Sequence, residues 1–380
     1  MTWEEAGKYV LTVLTEAGFE SYIVGGAVRD EYLSNPVHDV DISTEAKTGD
    51  IQSVFPRTID VGIQHGTVLV PVKGKPVEVS TFKGKTIRED LRNRDFTCNS
   101  MAKTLQGDII DPFGGQEDID NKRLRTIENS SAPFLEDPLR LLRALRFALQ
   151  LGFKIDKETQ DHMDDLAELI LNPAAERVAS ETEKMSQTNL SGIDWNWLLK
   201  QRVFQQLPFV LKNAEVHSSL RSLNKPLFIK DLLTWWSVAL YNNAPESAKA
   251  GLSYYKRSNR LTKDVITIHS KVHQFFSDGW SLYDIYVLGE QRLDIAILLV
   301  KLVKPGTITA DKWHEVFKDL PVKNKSELAV TGRDLIAQFP ALSGWEIGRW
   351  LKSIEKAVVE GAVANEKKAV LAWAEKELNR

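Results

Sequence analysis

Hydrophobic positions in the first third of the chain change period several times. Thr2 followed by Glu5 has the form of a capping box, and Val10, Leu11 and Leu14 continue as an apolar stripe that Gly18 ends. Tyr22-Ile23-Val24 reads as a buried strand running into Gly25-Gly26, with a short helix from Val28 to Leu33. A second strand is expected from Val37 to Ile42. Thr67–Val72 and Pro76–Phe82 flank Lys73-Gly74-Lys75 as the arms of a hairpin. A helix is expected from Arg92 to Thr104, then a short strand at Ile109-Ile110 before the turn Asp111-Pro112-Phe113-Gly114-Gly115.

From about Lys122 the pattern is helical. Leu141, Leu142, Leu145, Ala148 and Leu149 mark one strong apolar face. Helices follow over Trp195–Leu207, Leu227–Tyr241, Leu261–Phe276 and Leu282–Leu302, with a break near Pro321–Lys325 and a last helical unit from Leu328. No internal repeat or low-complexity tract interrupts them. The fold class is α+β: a head with a small mixed sheet, then an all-helical remainder. The expected domains are a head over 1–121, a neck over 122–185, a body over 186–275 and a tail over 276–380.

Composition narrows the chemistry. The 380 residues are 43% hydrophobic and 27% charged, with a formal net charge of −3. A nucleic-acid surface must therefore be a local patch. One cysteine, Cys98, excludes a disulfide framework and argues against a zinc–thiolate site. The start lacks the basic and apolar runs of a signal peptide, and no stretch is long enough to span a membrane, so a cytoplasmic location is expected.

Asp39-Val40-Asp41-Ile42 carries the most chemical information. On a strand, Asp39 and Asp41 point to one face and Val40 and Ile42 to the other. Adjacent carboxylates repel, and a hard divalent cation such as Mg²⁺ removes that cost. Two such ions, roughly 3.5–4 Å apart, can hold the attacking and leaving oxygens of a phosphoryl displacement. A lone pair at this spacing is more often a solvated strand edge. Glu78, alternating with Val77 and Val79, is either a third ligand or an exposed strand residue.

Just upstream, Val24-Gly25-Gly26-Ala27-Val28-Arg29 is a strand, a glycine turn and a helix start. Glycines admit close approach, the helix N-terminus offers free N–H groups, and Arg29 adds charge. Alone this is an ordinary strand–helix turn; beside the aspartates it is a triphosphate cradle.

Glu136-Asp137-Pro138-Leu139-Arg140 is expected to open the first long helix, with Glu136, Asp137, Arg140 and Arg143 on one face and Arg146 a turn later. The alternative is a solvated salt-bridged face. Chemically, a carboxylate beside a guanidinium complements the amino donor and ring acceptor shared by cytosine and adenine. Uracil and guanine invert both groups and leave charges unpaired.

Gly25-Gly26-Ala27-Val28-Arg29-Asp30, Asp39-Val40-Asp41, Arg94-Asp95-Phe96-Thr97-Cys98-Asn99, Asp111-Pro112-Phe113-Gly114-Gly115 and Glu136-Asp137-Pro138-Leu139-Arg140 occur in this order. Together they resemble the class II tRNA nucleotidyltransferases, a family that includes bacterial poly(A) polymerases. Glu176-Arg177-Val178 with Glu181 resembles its later neck motif, and Leu328–Leu335 its bacterial tail segment. The resemblance implies a polymerase-β-like head, a neck that reads the nucleotide, and a body and tail that hold tRNA. It implies Mg²⁺ on Asp39 and Asp41, the triphosphate on Gly26 and Arg29, and CTP or ATP against Arg94, Asp137, Arg140, Arg143 and Arg146. Asp95 would meet the ribose. The tRNA 3′ end would attack the α-phosphate.

One segment departs from the family. Phe82-Lys83-Gly84-Lys85-Thr86 runs almost directly into Glu89-Asp90-Leu91, where CCA-adding relatives carry a longer loop and CC-adding relatives a shorter one. CC addition is therefore one alternative to CCA addition. Poly(A) polymerase is another, which the non-basic C-terminal segment disfavours. A catalytically inactive RNA-binding module is a third, which the intact aspartate pair disfavours. Cys98 reads as a packed helix thiol, His38 as a local hydrogen-bonder, and the tryptophans at 195, 197, 235, 236, 313, 345, 350 and 373 as helix packing. Lys83-Lys85-Arg88 and Lys122-Arg123-Arg125 read as solvated charge that phosphate could also meet.

Overall fold

Trp3–Glu16 forms helix α1. Thr2 Oγ1 accepts from Glu5 N at 3.1 Å and Glu5 Oε2 from Thr2 N at 2.7 Å, closing the expected capping box. Ala6, Val10, Leu11 and Leu14 are buried, as the stripe requires. A computed structural model of the protein describes residues 1–62, 66–242 and 244–378. It divides into two compact units, Met1–Thr188 with Trp197–Leu207, and Asn189–Asn196 with Pro208–Arg380.

The first unit continues with β1 (Ser21–Val24), α2 (Gly26–Tyr32), β2 (Asp41–Thr44), α3 (Thr48–Val54), β3 (Ile59–Gly62), β4 (Thr67–Val72), β5 (Lys75–Thr81), α4 (Ile87–Arg92), β6 (Ala102–Lys103), β7 (Ile109–Ile110) and α5 (Gly115–Asp120). The strands form one mixed sheet in the order β3-β4-β5-β2-β1-β6-β7. β2 and β5 are parallel, with Asp41 opposite Glu78, and the hairpin β4–β5 is antiparallel. Val68, Val70, Val77 and Val79 face a core shared with α1, as do Val40 and Ile42. A Cβ on Gly7 would stand 2.6 Å from Val40 Cγ1, so glycine lets α1 press on the residue between the two aspartates. Burial of Val40 and Ile42 leaves the flanking carboxylates on the opposite side.

Two expectations for this unit need correction. The second strand begins at Asp41 rather than Val37; Pro36 cannot donate to a ladder, and pairing starts only with Glu78 N donating to Val40 O at 3.3 Å. The region 92–104 is not one helix. α4 ends at Arg92, Phe96 is extended and bridges Thr126, Thr97–Asn99 makes a single 3₁₀ turn, and β6 follows. Phe96, Cys98 and Met101 are all buried, but from separate turns rather than one helical face.

Next come β8 (Arg123–Leu124), α6 (Ala132–Glu136), α7 (Leu139–Leu151), β9 (Lys154–Ile155), α8 (Lys157–Asp165) and α9 (Ala175–Ser186). α7 buries Leu141, Leu142, Leu145 and Ala148, and Gly152, at φ 67°, ends it. The expected single face from Glu136 to Arg143 is broken. Glu136 closes α6, Asp137 is extended at φ −138°, and Pro138 caps α7, so Glu136 and Asp137 are not on the α7 helix.

The second unit is helical. The expected 227–241 helix covers only Leu232–Ala239, because Asp231 caps it and accepts from Thr234 N at 2.7 Å. The longest helices are Asn259–Ser277 and Leu282–Val303, and the last three are Gly332–Gln338, Gly344–Val359 and Lys367–Leu378. Expected residues 195–207 divide into Gly192–Leu198 and Arg202–Gln206. Trp195, Trp235 and Trp236 are core residues, but Trp345 is 68% exposed and does not fit the packing expectation. No described helix is long and apolar enough to cross a membrane.

Candidate active site

Asp39 and Asp41 open into one cleft of about 850 Å³, lined also by Gly25, Gly26, Arg29, Arg94, Asp95, Asp137, Arg140, Arg143 and Arg146. All of these lie in the first unit. Glu136 and Glu78 do not line it. Glu136 is half exposed and ion-pairs with Arg140 at 2.7 Å. Glu78 is an exposed strand residue, the partner of Asp41 on the neighbouring parallel strand. Burial, reinforced by Glu78 and Asp39, pushes the Asp41 carboxyl up to about 6 against the pull of Arg94 and Arg143. Glu78 is raised too, by burial first and then by Asp39. Among the described residues no three metal-ligand side chains close into a ready cage. The donor set nevertheless fits a hard cation: two aspartates that make no direct ion pair among the described residues, with space for further oxygens beside them.

Gly25 takes φ 73° ahead of α2, and a Cβ there would stand 2.9 Å from Arg94 Nη1. Glycine is therefore favoured by the turn itself, and it also leaves room for the end of the Arg94 side chain. Arg94 Nη2 donates to Ser43 Oγ at 3.1 Å and Asp90 Oδ2 at 3.3 Å, while its buried Nε has no acceptor among the described residues. Ser43 and Asp90 escaped the sequence reading. Ser43 was accessible, since it continues the period of two from Asp39 and Asp41. Asp90 was not, because its bonds to Ser43 Oγ at 3.0 Å and Lys83 N at 2.9 Å span other elements.

A hydrogen-bonded chain joins the glycine turn to α7. Arg29 Nη1 donates to Asn99 Oδ1 at 2.5 Å, Asn99 Nδ2 to Asp95 Oδ1 at 2.9 Å, and Arg143 Nη2 and Nε to Asp95 Oδ2 at 2.6 and 2.8 Å. Burial alone would raise the Asp95 carboxyl, but Arg143 and the donors from Asn99 and Phe96 outweigh it and hold it below the ordinary value. Its stabilising contribution is therefore present at neutral pH and lost as acid protonates it. Asp95→Ala is expected to destabilise the protein by about 3–5 kcal/mol at neutral pH, because Arg143 loses its counter-charge. The denaturant midpoint of unfolding measures this.

On the neck side, Asp137 accepts from Arg177 Nη2 at 2.8 Å and from Leu139 N at 3.2 Å. Burial raises its carboxyl, yet Arg177 and Leu139 bring it below the usual value. Arg140 donates to Glu136 and to Asn93 O, both at 2.7 Å. Asp137 and Arg140 thus share the cleft wall without bonding each other side chain to side chain. Arg146 pairs with buried Glu181 of α9 at 2.7 Å.

Other singled-out residues separate clearly. Cys98 is buried, and burial pushes its thiol up to about 12. His38 and Lys83 line the cleft. Arg123 and Arg125 both bond buried Asp118, at 2.5 and 2.9 Å, so they are tied into the fold rather than solvated.

A mixed sheet presenting two aspartates beside a glycine turn defines a nucleotidyltransferase head, and the family described as "Poly A polymerase head domain" matches residues 21–125. "Probable RNA and SrmB- binding site of polymerase A" matches 152–209, and "tRNA nucleotidyltransferase domain 2 putative" matches 229–374. A CCA-adding enzyme of Bacillus cereus is 30% identical over 382 residues, covering 96% of each chain. The crystal structure of the Bacillus stearothermophilus CCA-adding enzyme in complex with CTP aligns with a TM-score of 0.82 at 32% identity, over 99% of this chain and 98% of that one. The Thermotoga maritima CCA-adding enzyme complexed with tRNA shares the fold, with a TM-score of 0.69 at 20% identity over 98% and 95% of the two chains. The chain belongs to the CCA-adding enzymes of the tRNA nucleotidyltransferase family.

Proposed function

We propose that the protein adds CCA to the 3′ end of tRNA from CTP and ATP without a nucleic-acid template. The observation that carries this is the single cleft joining Asp39 and Asp41, the Gly25-Gly26 turn and the Asp137/Arg140 wall. The turn and Arg29 receive the triphosphate, and Arg94 lines the same cleft with its guanidinium. Mg²⁺ held by Asp39 and Asp41 together with substrate oxygens would neutralise charge at the reacting phosphate. Glu78, beside Asp41 on the neighbouring strand, adds negative charge that would help draw the cation. Asp95 holds Arg143 in place at the ribose side, and Asp137 with Arg140 reads the base edge, with Arg143 and Arg146 beside them. The tRNA 3′-oxygen bonds the α-phosphorus as the bond to pyrophosphate breaks, and the hydroxyl proton leaves to solvent. Catalysis is mainly positioning and charge neutralisation. Residues 1–121 act as the catalytic head and 122–185 as the neck. The body, 186–275, and the tail, 276–380, hold the tRNA, and the enzyme works in the cytoplasm.

One observation favours a second reading, addition of CC alone. The segment after β5 is short and clasped: Lys83 N donates to Asp90, Lys85 N to Glu89, and Asn93 Nδ2 to Lys83 O at 2.9 Å. The protein incubated with tRNA lacking its 3′ end, Mg²⁺ and each labelled nucleotide separates the cases. Two C and one A are expected. Two C without A supports the second reading, long A tracts a poly(A) polymerase, and no incorporation an RNA-binding module.

A further inference from the structure

Three guanidiniums of the cleft surround one aromatic ring. The Cζ atoms of Arg29, Arg143 and Arg146 lie 5.2, 5.2 and 4.2 Å from the centroid of Phe147. Phe147 is 6% exposed and lines the cleft. Its ring is fixed edge-to-face against fully buried Phe96, with centroids 6.0 Å apart. Arg143, Arg146 and Phe147 share a face of α7 by their spacing, while Arg29 comes from α2. The three cations therefore arrive from two elements and meet at a single side chain.

Each of these arginines also has a polar partner: Asp30 for Arg29, Asp95 for Arg143 and Glu181 for Arg146. Those contacts use part of each guanidinium fork. With the chain from Arg29 through Asn99 and Asp95 to Arg143 they place counter-charge in the plane of each guanidinium, and leave its faces to other partners. An aliphatic side chain would fill the space but offer nothing to a cation. The face of a phenyl ring carries negative quadrupole charge and attracts each cation without accepting a proton or competing as an anion with phosphate.

We propose that Phe147 is a positioning residue for nucleotide binding. It holds Arg29, at the phosphate cradle, in register with Arg143 and Arg146, on the neck wall, before substrate enters. This rests on the assignment of the cleft as the CTP and ATP site. The role is electrostatic and so depends on the ring's π density rather than on its bulk.

That distinction sets the experiment. Phe147 is replaced by phenylalanine carrying one, two and three ring fluorines, which keep shape and apolarity while withdrawing π density. KM for CTP and for ATP is expected to rise stepwise, reaching about tenfold with three fluorines, while kcat and the thermal midpoint change little. Phe147→Leu is expected to raise KM at least as far, and Phe147→Tyr to restore it to near the parent value. A KM that stays flat across the fluorinated series, or a leucine variant equal to the parent, overturns the proposal and leaves Phe147 as packing only. If the unsubstituted protein neither binds CTP nor incorporates it, the assignment of the cleft fails instead, and the proposal falls with it.

Discussion

Asp41→Asn is expected to abolish nucleotide transfer and, in the absence of divalent cations, to stabilise the protein. The loss of activity should reach at least about a thousandfold, since the charge proposed to anchor the metal is gone while the side-chain shape remains. The gain in stability follows from the same charge. Folding partly buries Asp41 beside Glu78 and Asp39 and raises its carboxyl to about 6 from an ordinary 3.8. A folded state that holds its proton more tightly than the unfolded state loses stability as pH rises between those two values. The penalty is absent below about pH 4, grows up to pH 6 and then levels off, at about 1–3 kcal/mol. Asparagine removes it.

Thermal unfolding with a chelator should therefore show the variant above the parent at pH 8 and the two converging toward pH 4. Added Mg²⁺ should stabilise the parent alone. A variant with normal turnover would remove the metal assignment, and a pH-independent stability gain would remove the electrostatic account. Asp39→Ala should share the loss of transfer.

The second large effect concerns base choice. Asp137→Ala is expected to relax discrimination of CTP against UTP by about one to two orders of magnitude, measured as the ratio of their kcat/KM values. In the proposed role the carboxylate would accept from an amino group, which cytosine and adenine have and uracil lacks. With it present, a uracil carbonyl faces a negative charge; with alanine, that repulsion is gone. The folded protein should lose little, because the ion pair broken with Arg177 is largely exposed on the arginine side. A fold-weakening explanation would lower turnover of both nucleotides equally. An unchanged ratio would detach Asp137 from base reading and leave Arg140, with its donors to Glu136 and Asn93 O, as the remaining candidate.

Much of the site was legible because its signals are local. Asp39 and Asp41 are two residues apart, and their common side follows from burial of Val40 and Ile42. The Gly25-Gly26 turn and Arg29 fall within one strand–helix junction. The segment proposed to read the base was found by composition but misplaced in geometry. Its residues read as one helical face, whereas extended Asp137 and Pro138 separate α6 from α7. Helical spacing alone cannot reveal that break, since an apolar pattern continues across it.

The residues that were missed act across long sequence separations. Asp90 reaches Ser43, and Phe147 gathers Arg29 from α2. An aromatic residue on an apolar helix reads as core, and although Arg143 and Arg146 are close to Phe147 in sequence, nothing there announces the approach of Arg29. Likewise the stretch 92–104 carries enough apolar residues for a helix, but pairing of β6 with β1 and of Phe96 with Thr126 draws it into short extended pieces.

The sequence by itself determined the elements whose period is strong, the carboxylate pair and the glycine turn, because side-chain alternation and glycine conformation act over a few residues. Only the tertiary structure decided which charges pair, how far Asp41 is from its ordinary ionisation, and which ring collects the arginines. Those depend on distance and desolvation between segments far apart in the chain, and no local pattern encodes either.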